Sequence, residues 1–185
     1  PIVTTSVTVP ILWDKETETI VNNESSQIIR IFNSSFNDLT GNYYDFYPEL
    51  KKIQIDKINH LIYECVNNGV YKSGFARTQE AYDTSVDLLF KTLDYLNDIL
   101  GKSKYLVGDE VTEADLRLIP TLLRFDPVYN THFKCNVRRI VDYENLRRYV
   151  QDLLRIPAVK ETFVLDHIKR HYYFSHAEIN PHRII

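Results

Sequence analysis

Hydrophobic periodicity changes once along this 185-residue chain, and the change limits the folds that are available to it. The apolar run over residues 7–13 predicts a short buried strand, and Thr19, Ile20 and Val21 predict a second strand at hairpin distance. An apolar helix follows near Ile28. After the first quarter of the chain, apolar residues recur with the period of a helix. The sequence therefore predicts an α+β chain, in which a β-β-α segment precedes an all-helical region.

The same pattern predicts four segments. They are a β-β-α segment over 1–35, a polar linker over 36–48, an all-helical domain over 49–170 and a C-terminal tail over 171–185 that packs on the helical domain. Inside the helical domain we expect a helix over 50–66, a stop at 67–69, an aromatic connector over 70–75 and a long helix over 78–100. Later helices are expected from 112, over 146–154, from 156 and over 162–170.

Composition excludes several classes of function. The formal net charge is −3, 44% of residues are hydrophobic and 25% are charged, as in an ordinary globular protein. Nothing in this balance favours a nucleic-acid partner, and no apolar run approaches the length of a membrane span. Cys65 and Cys135 show no metal or redox spacing, so we interpret them as buried free thiols in a reducing compartment. We expect no metal site.

The start of the first predicted helix suits a ligand with a charged amino-acid head. Free N–H groups and the helix dipole attract a carboxylate near Ser25, while Glu24 can bind an ammonium group beside it. If the Val9–Pro10 bond is cis, as we expect, the backbone of Val9 would point outward and pair with an extended peptide. The alternative is an ordinary strand–turn–strand–helix piece of an α/β domain, in which Ser25 or Asn23 only caps the helix.

A second helix start is marked at residues 108–115, Gly-Asp-x-x-Thr-x-x-Asp. Thr112 supplies a hydroxyl at the N-cap position and Asp115 a carboxylate three residues later, which is a variant of the capping box. The apolar residues that follow predict a buried helix, with Pro120 inside it as a possible kink. We therefore expect Thr112 and Asp115 to have a structural role.

The layout of a β-β-α half-domain, a linker and a helical domain resembles that of glutathione transferases, and several motifs resemble one class among them. These motifs occupy residues 8–14, 21–26, 67–76, 124–129, 132–136, 171–176 and 179–181. They resemble the Xi class, the omega-like glutathionyl-hydroquinone reductases of fungi, plants and bacteria. The resemblance covers nearly the whole chain, and it implies that residues 1–35 are the second half of a thioredoxin-like domain.

The resemblance implies an enzyme that reduces glutathionyl-hydroquinones with glutathione as co-substrate. A cysteine thiolate attacks the sulfur of the conjugate, and a second glutathione resolves the mixed disulfide. The family places this cysteine in a Cys-Pro-Trp-Ala motif in the first half of the thioredoxin-like domain, and neither Cys65 nor Cys135 stands in such a motif. We therefore assign no catalytic residue within this chain. It begins at Pro1 and contains no Met, so we expect it to be part of a longer gene product.

The resemblance also assigns binding residues. Val9, Pro10, Glu24 and Ser25 match the glutathione positions of the family. Tyr71 and Tyr172 match tyrosines that line the pocket for the electrophile, where a phenol can hold a hydroquinone oxygen. These two are far apart in the sequence, so the resemblance implies a fold that brings both hydroxyls to one pocket beside the glutathione sulfur.

Tyr173 is the weaker choice next to Tyr172, and a core role for the tyrosines remains the alternative. Two other functions stay open: an omega-like thioltransferase or dehydroascorbate reductase, and a non-catalytic module of the glutathione transferase type. A Cys-Pro motif upstream would favour either enzyme. We expect a cytoplasmic homodimer whose ligands are glutathione and aromatic quinone or hydroquinone conjugates.

Overall fold

The structure is a computed structural model that describes residues 9–185, and the chain divides after Glu49 into two compact units. The first unit carries the sheet, and the second is helical throughout its regular structure. The α+β class predicted from the sequence is confirmed. The expectations for residues 7 and 8 at the start of the first strand lie outside the described residues.

The first unit contains a two-stranded antiparallel sheet and two helices. Their bounds are β1 Leu12–Asp14, β2 Thr19–Asn22, α1 Ser25–Ser34 and α2 Asn37–Thr40. Trp13 lies opposite Ile20, and the register shifts between Leu12 and Trp13. In the intervening turn the Asp14 carboxylate accepts the N–H of Glu16 at 2.8 Å.

The prediction that the first strand is buried is wrong for this unit. Ile11 is 48% exposed, Trp13 is 45% exposed and Val21 on the partner strand is 53% exposed. The physical reason is that, in the described part of the chain, this sheet consists of β1 and β2 alone. A two-stranded ribbon with no further strand beside it leaves apolar side chains in contact with solvent.

The last residues of the first unit are ordered around α1. The side-chain oxygen of Asn33 accepts the N–H of Phe46 at 2.9 Å, and its amide nitrogen donates to Asp45 at 2.7 Å. The Arg30 guanidinium lies 3.8 Å from the centre of the Tyr47 ring. Polar residues that predicted a linker therefore return the chain to α1. The predicted domain boundaries themselves stay predictions.

The second unit is built from seven α-helices, with π-helical and 3₁₀ segments between some of them, among residues 50–185. The α-helices are α3 Lys52–Ile62, α4 Asn68–Gly74, α5 Gln79–Leu100, α6 Glu113–Arg124, α7 Glu144–Leu154, α8 Pro157–Thr162 and α9 Leu165–Ser175. Two π-helical segments are π1 Tyr63–Asn67, between α3 and α4, and π2 Phe125–Tyr129, after α6. Across residues 9–185, no helix is both long and apolar enough to cross a membrane.

The predicted helix stop at residues 67–69 and the connector after it are wrong, because α3, π1 and α4 form one continuous helical stretch. The side chain of Asn67 bonds to α6: its amide nitrogen donates to the Arg117 carbonyl at 3.2 Å and its oxygen accepts the Thr121 hydroxyl at 3.1 Å. Gly69 is buried, and a Cβ there would meet the Leu89 side chain on α5 at ordinary contact distance. The residues that resembled a stop serve helix packing.

In the helical core α7 packs on both α5 and α6, while α3 packs on α6 and α4 on α5. The most deeply buried side chains include Leu89, Leu93, Leu118, Phe125 and Tyr149. The predicted capping box at the start of α6 is confirmed: the Asp115 carboxylate accepts the Thr112 N–H at 2.8 Å and the Thr112 hydroxyl at 3.1 Å. Pro120 lies inside α6, as predicted.

The last helix begins and ends later than predicted. The sequence predicted a helix over 162–170, whereas α8 ends at Thr162 and α9 runs from Leu165 to Ser175. Tyr172 therefore lies on α9 and does not begin a tail. The reason is that α9 has buried residues four positions apart, Ile168 and Tyr172, so its apolar face continues into the segment that composition assigned to the tail.

We predict that Asp115→Ala lowers the free energy of unfolding far more than Thr112→Ala. Removal of the Asp115 carboxylate leaves the N–H groups of Leu106 and Thr112 and the Tyr149 hydroxyl without their buried acceptor. That loss should cost about 3–5 kcal/mol, against about 0.5–2 kcal/mol for the Thr112 hydroxyl. Urea denaturation of both variants measures the difference.

The control for this comparison is Asp87→Ala, which removes an exposed carboxylate bonded to Lys91 at 2.7 Å. Such a surface pair is worth only a few tenths of a kcal/mol, roughly 0.3–0.5. Equal losses for Asp115→Ala and Asp87→Ala would mean that the capping box does not organise the core.

Candidate functional site

The first unit presents its candidate ligand-binding residues at the entry to β1 and at the start of α1. The Val9–Pro10 bond is cis, as predicted, and Val9 is 89% exposed. Glu24 and Ser25 are both exposed. Ser25 is the first residue of α1, where backbone N–H groups have no partner within the helix.

Glu24, and neither Ser25 nor Asn23, is the N-cap of α1. Its carboxylate accepts the backbone N–H of Ser26 at 3.2 Å and the Ser26 hydroxyl at 3.0 Å. The N–H of Glu24 itself donates to the side chain of Asn22 at 2.7 Å. These bonds hold a carboxylate in a defined position at the helix start, next to N–H groups that attract an anion. The arrangement can bind a group that carries both an ammonium and a carboxylate.

The second unit brings the two predicted tyrosines together. The hydroxyls of Tyr71, on α4, and Tyr172, on α9, lie 2.5 Å apart. Both rings pack against Phe133, at centroid distances of 5.3 Å and 5.9 Å, and their own centroids are 6.4 Å apart. The prediction that the fold makes these two hydroxyls neighbours is confirmed; their assignment to substrate binding stays a prediction.

A third tyrosine, Tyr129 on π2, completes the group. Its hydroxyl lies 2.8 Å from that of Tyr172, and its ring stacks on Phe133 at 5.3 Å. Sequence reasoning placed Tyr129 inside a family motif but gave it no role. We refer to Tyr71, Tyr129 and Tyr172 as the tyrosine cluster. Tyr173 does not join it, because its hydroxyl donates to the Pro127 carbonyl at 3.1 Å.

The tyrosine cluster runs from the protein interior to its surface. Tyr129 is 2% exposed, Tyr172 is 5% exposed and Tyr71 is 40% exposed. A buried hydroxyl keeps its proton in a hydrogen bond, so Tyr129 donates to Tyr172. Tyr172 is buried as well, so its proton also needs an acceptor, and the Tyr71 oxygen is the one left within reach. The Tyr71 proton, at the exposed end, is left to donate to another group.

Both inner phenols are neutral over the physiological range. Burial raises the pKa of Tyr129 far above its usual value, and the neighbouring Tyr172 and Tyr71 raise it further. Burial also raises the pKa of Tyr172, although the hydrogen bond from Tyr129 opposes this. A phenol of this kind acts as a hydrogen-bond donor and does not act as a base.

Packing around Phe133 fixes the shape of the tyrosine cluster. Gly74 ends α4 directly beside it, and a Cβ at Gly74 would overlap the Phe133 ring. Only glycine permits this close approach of the α4 backbone. The ring of Phe75 meets Phe133 edge to face at 5.3 Å. The hydroxyl positions thus depend on aromatic packing between α4, α9 and the turn after π2.

The two thiols lie in the core of the second unit. Cys65 is 9% exposed and Cys135 is fully buried, and both are free, as predicted. Burial raises the pKa of Cys135 to about 12. A nucleophilic thiol needs an accessible environment that lowers its pKa, so Cys135 does not fit that role. Residues 9–185 contain no group of three or more His, Cys, Asp or Glu side chains placed to hold a metal ion.

Comparison with known proteins gives one family-model match and several close relatives. Residues 79–152 match the model described as glutathione S-transferase, C-terminal domain. The chain is 54% identical over 185 residues to the glutathionyl-hydroquinone reductase PcpF of Sphingobium chlorophenolicum. That alignment covers 100% of this chain and 59% of the relative.

Solved structures agree with these matches. The glutathione-bound structure of YqjG, a glutathione transferase homologue from Escherichia coli K-12, is 53% identical with a TM-score of 0.95, covering 97% of this chain and 58% of that one. The glutathione transferase Xi from Phanerochaete chrysosporium is 55% identical with a TM-score of 0.94, covering 96% of this chain and 58% of that one. The chain thus spans little more than half the length of the relatives it matches.

We predict that Cys135 does not react with thiol reagents while the second unit is folded. In a Cys65→Ser variant of this chain, Cys135 is the one remaining cysteine of the sequence. With a pKa of about 12, roughly one thiolate in ten thousand is present near pH 8, and burial blocks access to it. Labelling with a chromogenic disulfide should therefore follow the rate of unfolding and rise sharply in urea. Rapid labelling of the native variant would mean that Cys135 can serve as a nucleophile.

Proposed function

Because the chain belongs to the Xi-class, omega-like glutathione transferase family, we propose that it serves in the glutathione-dependent reduction of glutathionyl-hydroquinones. Its fold is the C-terminal part of a thioredoxin-like domain followed by the all-α C-terminal domain of a glutathione transferase. The observation that carries the proposal is the hydrogen bond between the Tyr71 and Tyr172 hydroxyls, which two distant segments of the sequence bring together.

In the proposed reaction, a cysteine thiolate attacks the glutathione sulfur of the conjugate. The carbon–sulfur bond breaks, its electron pair stays with the aromatic ring, and the ring carbon takes up a proton. The enzyme cysteine is left in a mixed disulfide with glutathione, which a second glutathione thiolate releases as glutathione disulfide. The ring is thereby reduced by two electrons. The burial of Cys65 and Cys135 supports our assignment of the nucleophile to a segment upstream of this chain.

Glutathione is the proposed ligand of the first unit. The helix N-terminus at Ser25 suits the α-carboxylate of the γ-glutamyl residue, and Glu24 suits its ammonium group. The exposed backbone of Val9, next to the cis bond to Pro10, suits the peptide portion of glutathione. We propose that residues 1–35 are the second half of the thioredoxin-like domain that carries this site.

The hydroquinone ring is the proposed ligand of the tyrosine cluster. The free proton of Tyr71 can be donated to a hydroquinone oxygen, and the exposed aromatic surface around it can stack on the ring. Tyr172 fixes the direction of the Tyr71 hydroxyl, and Tyr129 fixes that of Tyr172. A homodimer and a cytoplasmic location are proposed on the family resemblance alone.

We predict that Glu24→Gln weakens glutathione binding by roughly ten- to a hundredfold. The amide keeps an oxygen that can cap α1 but loses the charge that would pair with the ammonium, and a hydrogen bond to a charged group is worth about 1.5–3 kcal/mol. Isothermal titration calorimetry on the full-length gene product measures this. As a control, Ser26→Ala removes a hydroxyl bond to Glu24 and retains the charge, so its effect should be small. Unchanged affinity in Glu24→Gln would remove Glu24 from the site.

We predict that Tyr71→Phe and Tyr172→Phe slow reduction of glutathionyl-hydroquinones by roughly two- to tenfold each in the full-length gene product. A lost neutral hydrogen bond costs about 0.5–1.5 kcal/mol in transition-state stabilisation. Glutathione affinity should be unchanged, because the residues proposed to bind it lie in the first unit. Steady-state kinetics with a glutathionyl-hydroquinone and with a small glutathione conjugate that lacks the ring separate the two effects.

The matched control for this series is Tyr173→Phe, which removes a neighbouring hydroxyl that bonds to Pro127 outside the tyrosine cluster. Its rate should stay close to that of the unmodified protein. If Tyr71→Phe and Tyr172→Phe lower the melting temperature and leave the rate unchanged, the tyrosine cluster is a structural feature of the core. If both substrates slow equally, the activity is that of a general thioltransferase.

A further inference from the structure

Two histidines form a hydrogen-bonded pair beside the tyrosine cluster. Nε2 of His132, in the turn after π2, lies 3.1 Å from Nδ1 of His176, the residue that caps the C-terminus of α9. The rings are nearly parallel, with an interplanar angle of 16°. His132 is 5% exposed. The pair thus ties the end of the last helix to an element that is distant in the sequence.

The His176 ring is in direct contact with the tyrosine cluster. It follows Tyr172 by one helical turn and packs edge-on against that ring, at a centroid distance of 5.5 Å and an angle of 81°. On its other sides it stacks on Phe133 at 5.6 Å and meets Phe75 at 5.2 Å. Displacement of the His176 ring would therefore remove one wall from the space in which Tyr172 is held.

The backbone of His176 also anchors the segment that follows α9. Its carbonyl accepts the N–H groups of Ile179 at 3.0 Å and Asn180 at 2.9 Å. The side chain of Asn180 donates in turn to the Tyr173 carbonyl at 2.8 Å. His176 thus contributes its backbone carbonyl to the fold of residues 176–180 and its ring to the placement of Tyr172.

A hydrogen bond between two imidazoles requires one nitrogen to donate and the other to accept. The bond exists when both rings are neutral or when one is protonated, but two imidazolium rings would direct N–H groups at each other. Burial lowers the pKa of His132, and the neighbouring His176 lowers it further. Burial lowers the pKa of His176 as well, assisted by His171 and opposed by Glu178.

Other charged and titratable groups face the pair from each element around it. His171 and Tyr172 lie on α9, with the His171 ring 6.2 Å from that of His176. Tyr173 packs on His132 at 4.8 Å. Arg77, Lys134 and Glu178 line the same cleft of about 290 Å³ as His132. Since the two cations outnumber the one carboxylate, these surroundings do not favour a second proton on the pair.

Resting on the function proposed above, we propose that the His132–His176 hydrogen bond is a positioning contact for Tyr172, which holds while at most one imidazole is protonated and is released when both are. The pair is neutral or singly protonated near neutral pH, and there the contact holds Tyr172 against Tyr71. Because the histidine pKa values are lower in the bonded state than in the released state, the bonded state is fully stabilised above the ordinary histidine pKa and loses that stabilisation as pH falls. Substrate positioning should therefore weaken in mild acid.

The first test needs no substrate and uses the full-length gene product. Amide hydrogen exchange of Ile179 and Asn180, corrected for the intrinsic chemical rate, is followed from about pH 7.5 to about pH 5. Protection should fall by up to about tenfold per pH unit for each proton taken up. His176→Gln should show little change, because a side-chain amide can accept from a protonated His132 or donate to a neutral one.

Two further variants make this test decisive. His132→Gln should flatten the curve in the same way, which covers the case in which His176→Gln fails to fold. His167→Gln alters an exposed histidine on the same helix, with no ring contact to the pair, and should keep the steep fall. The proposal would be overturned if protection in the unmodified protein did not change with pH. It would also be overturned if protection in both His176→Gln and His132→Gln fell as steeply as in the unmodified protein.

The second test measures KM and kcat for a glutathionyl-hydroquinone across the same range. The ratio of KM in the unmodified protein to KM in His176→Gln should rise as pH falls, while the same ratio for a conjugate without the ring stays constant. Taking ratios at each pH cancels titration of the nucleophile. A constant ratio for both substrates would overturn the positioning role. If no conjugate is reduced near pH 7.5, the proposed function fails, and the exchange measurement still decides whether the histidine pair releases.

Discussion

The second unit depends on one buried carboxylate, that of Asp115. It accepts four hydrogen bonds: from the N–H and hydroxyl of Thr112, the N–H of Leu106 and the hydroxyl of Tyr149. These donors belong to the start of α6, the preceding loop and α7. Burial still raises the pKa of Asp115, because desolvation outweighs the bonds that oppose it. Water cannot reach the buried Asp115 carboxylate to replace a lost hydrogen-bond partner, as it can at a surface ion pair. The carboxylate therefore holds α6, the preceding loop and α7 in fixed relative positions.

The placement of α6 is passed on to the tyrosine cluster along two paths. Asn67 bonds to the Arg117 carbonyl and to the Thr121 hydroxyl of α6, which fixes the start of α4 and therefore the position of Tyr71. At its other end α6 runs directly into π2, which carries Tyr129. Each path passes through a π-helical segment, a form that is rare in proteins and is often found at functional sites. The extra residue in the turn redirects the side chains that follow it.

The sequence predicted best those elements whose structure depends on residues close together in the chain. The hairpin, α5 and the capping box at Thr112 depend on neighbouring residues, and their patterns were sufficient. The continuous helix through Gly69 depends on contacts with α5 and α6, which are distant in the sequence. Trp13 is exposed because the sheet of the described residues has two strands. Local composition misled at both positions. Tyr129 was missed because a 3.6-residue period continued from α6 gives the wrong direction after π2. The approach of Tyr71 to Tyr172 came from the family resemblance and not from periodicity.

The second unit has groups that can orient a ligand by hydrogen bonds. Among the described residues its two thiols are buried, and burial holds the phenols of Tyr129 and Tyr172 in their neutral form. The three hydroxyls form a row of hydrogen bonds in which each phenol donates to the next, and the last of them, Tyr71, is exposed. In the proposed reaction, a donor fixed in this way can hold a hydroquinone oxygen and orient the ring while the carbon–sulfur bond breaks. In the proposed reaction the second unit therefore orients the hydroquinone, and its buried thiols leave the role of nucleophile to another part of the protein.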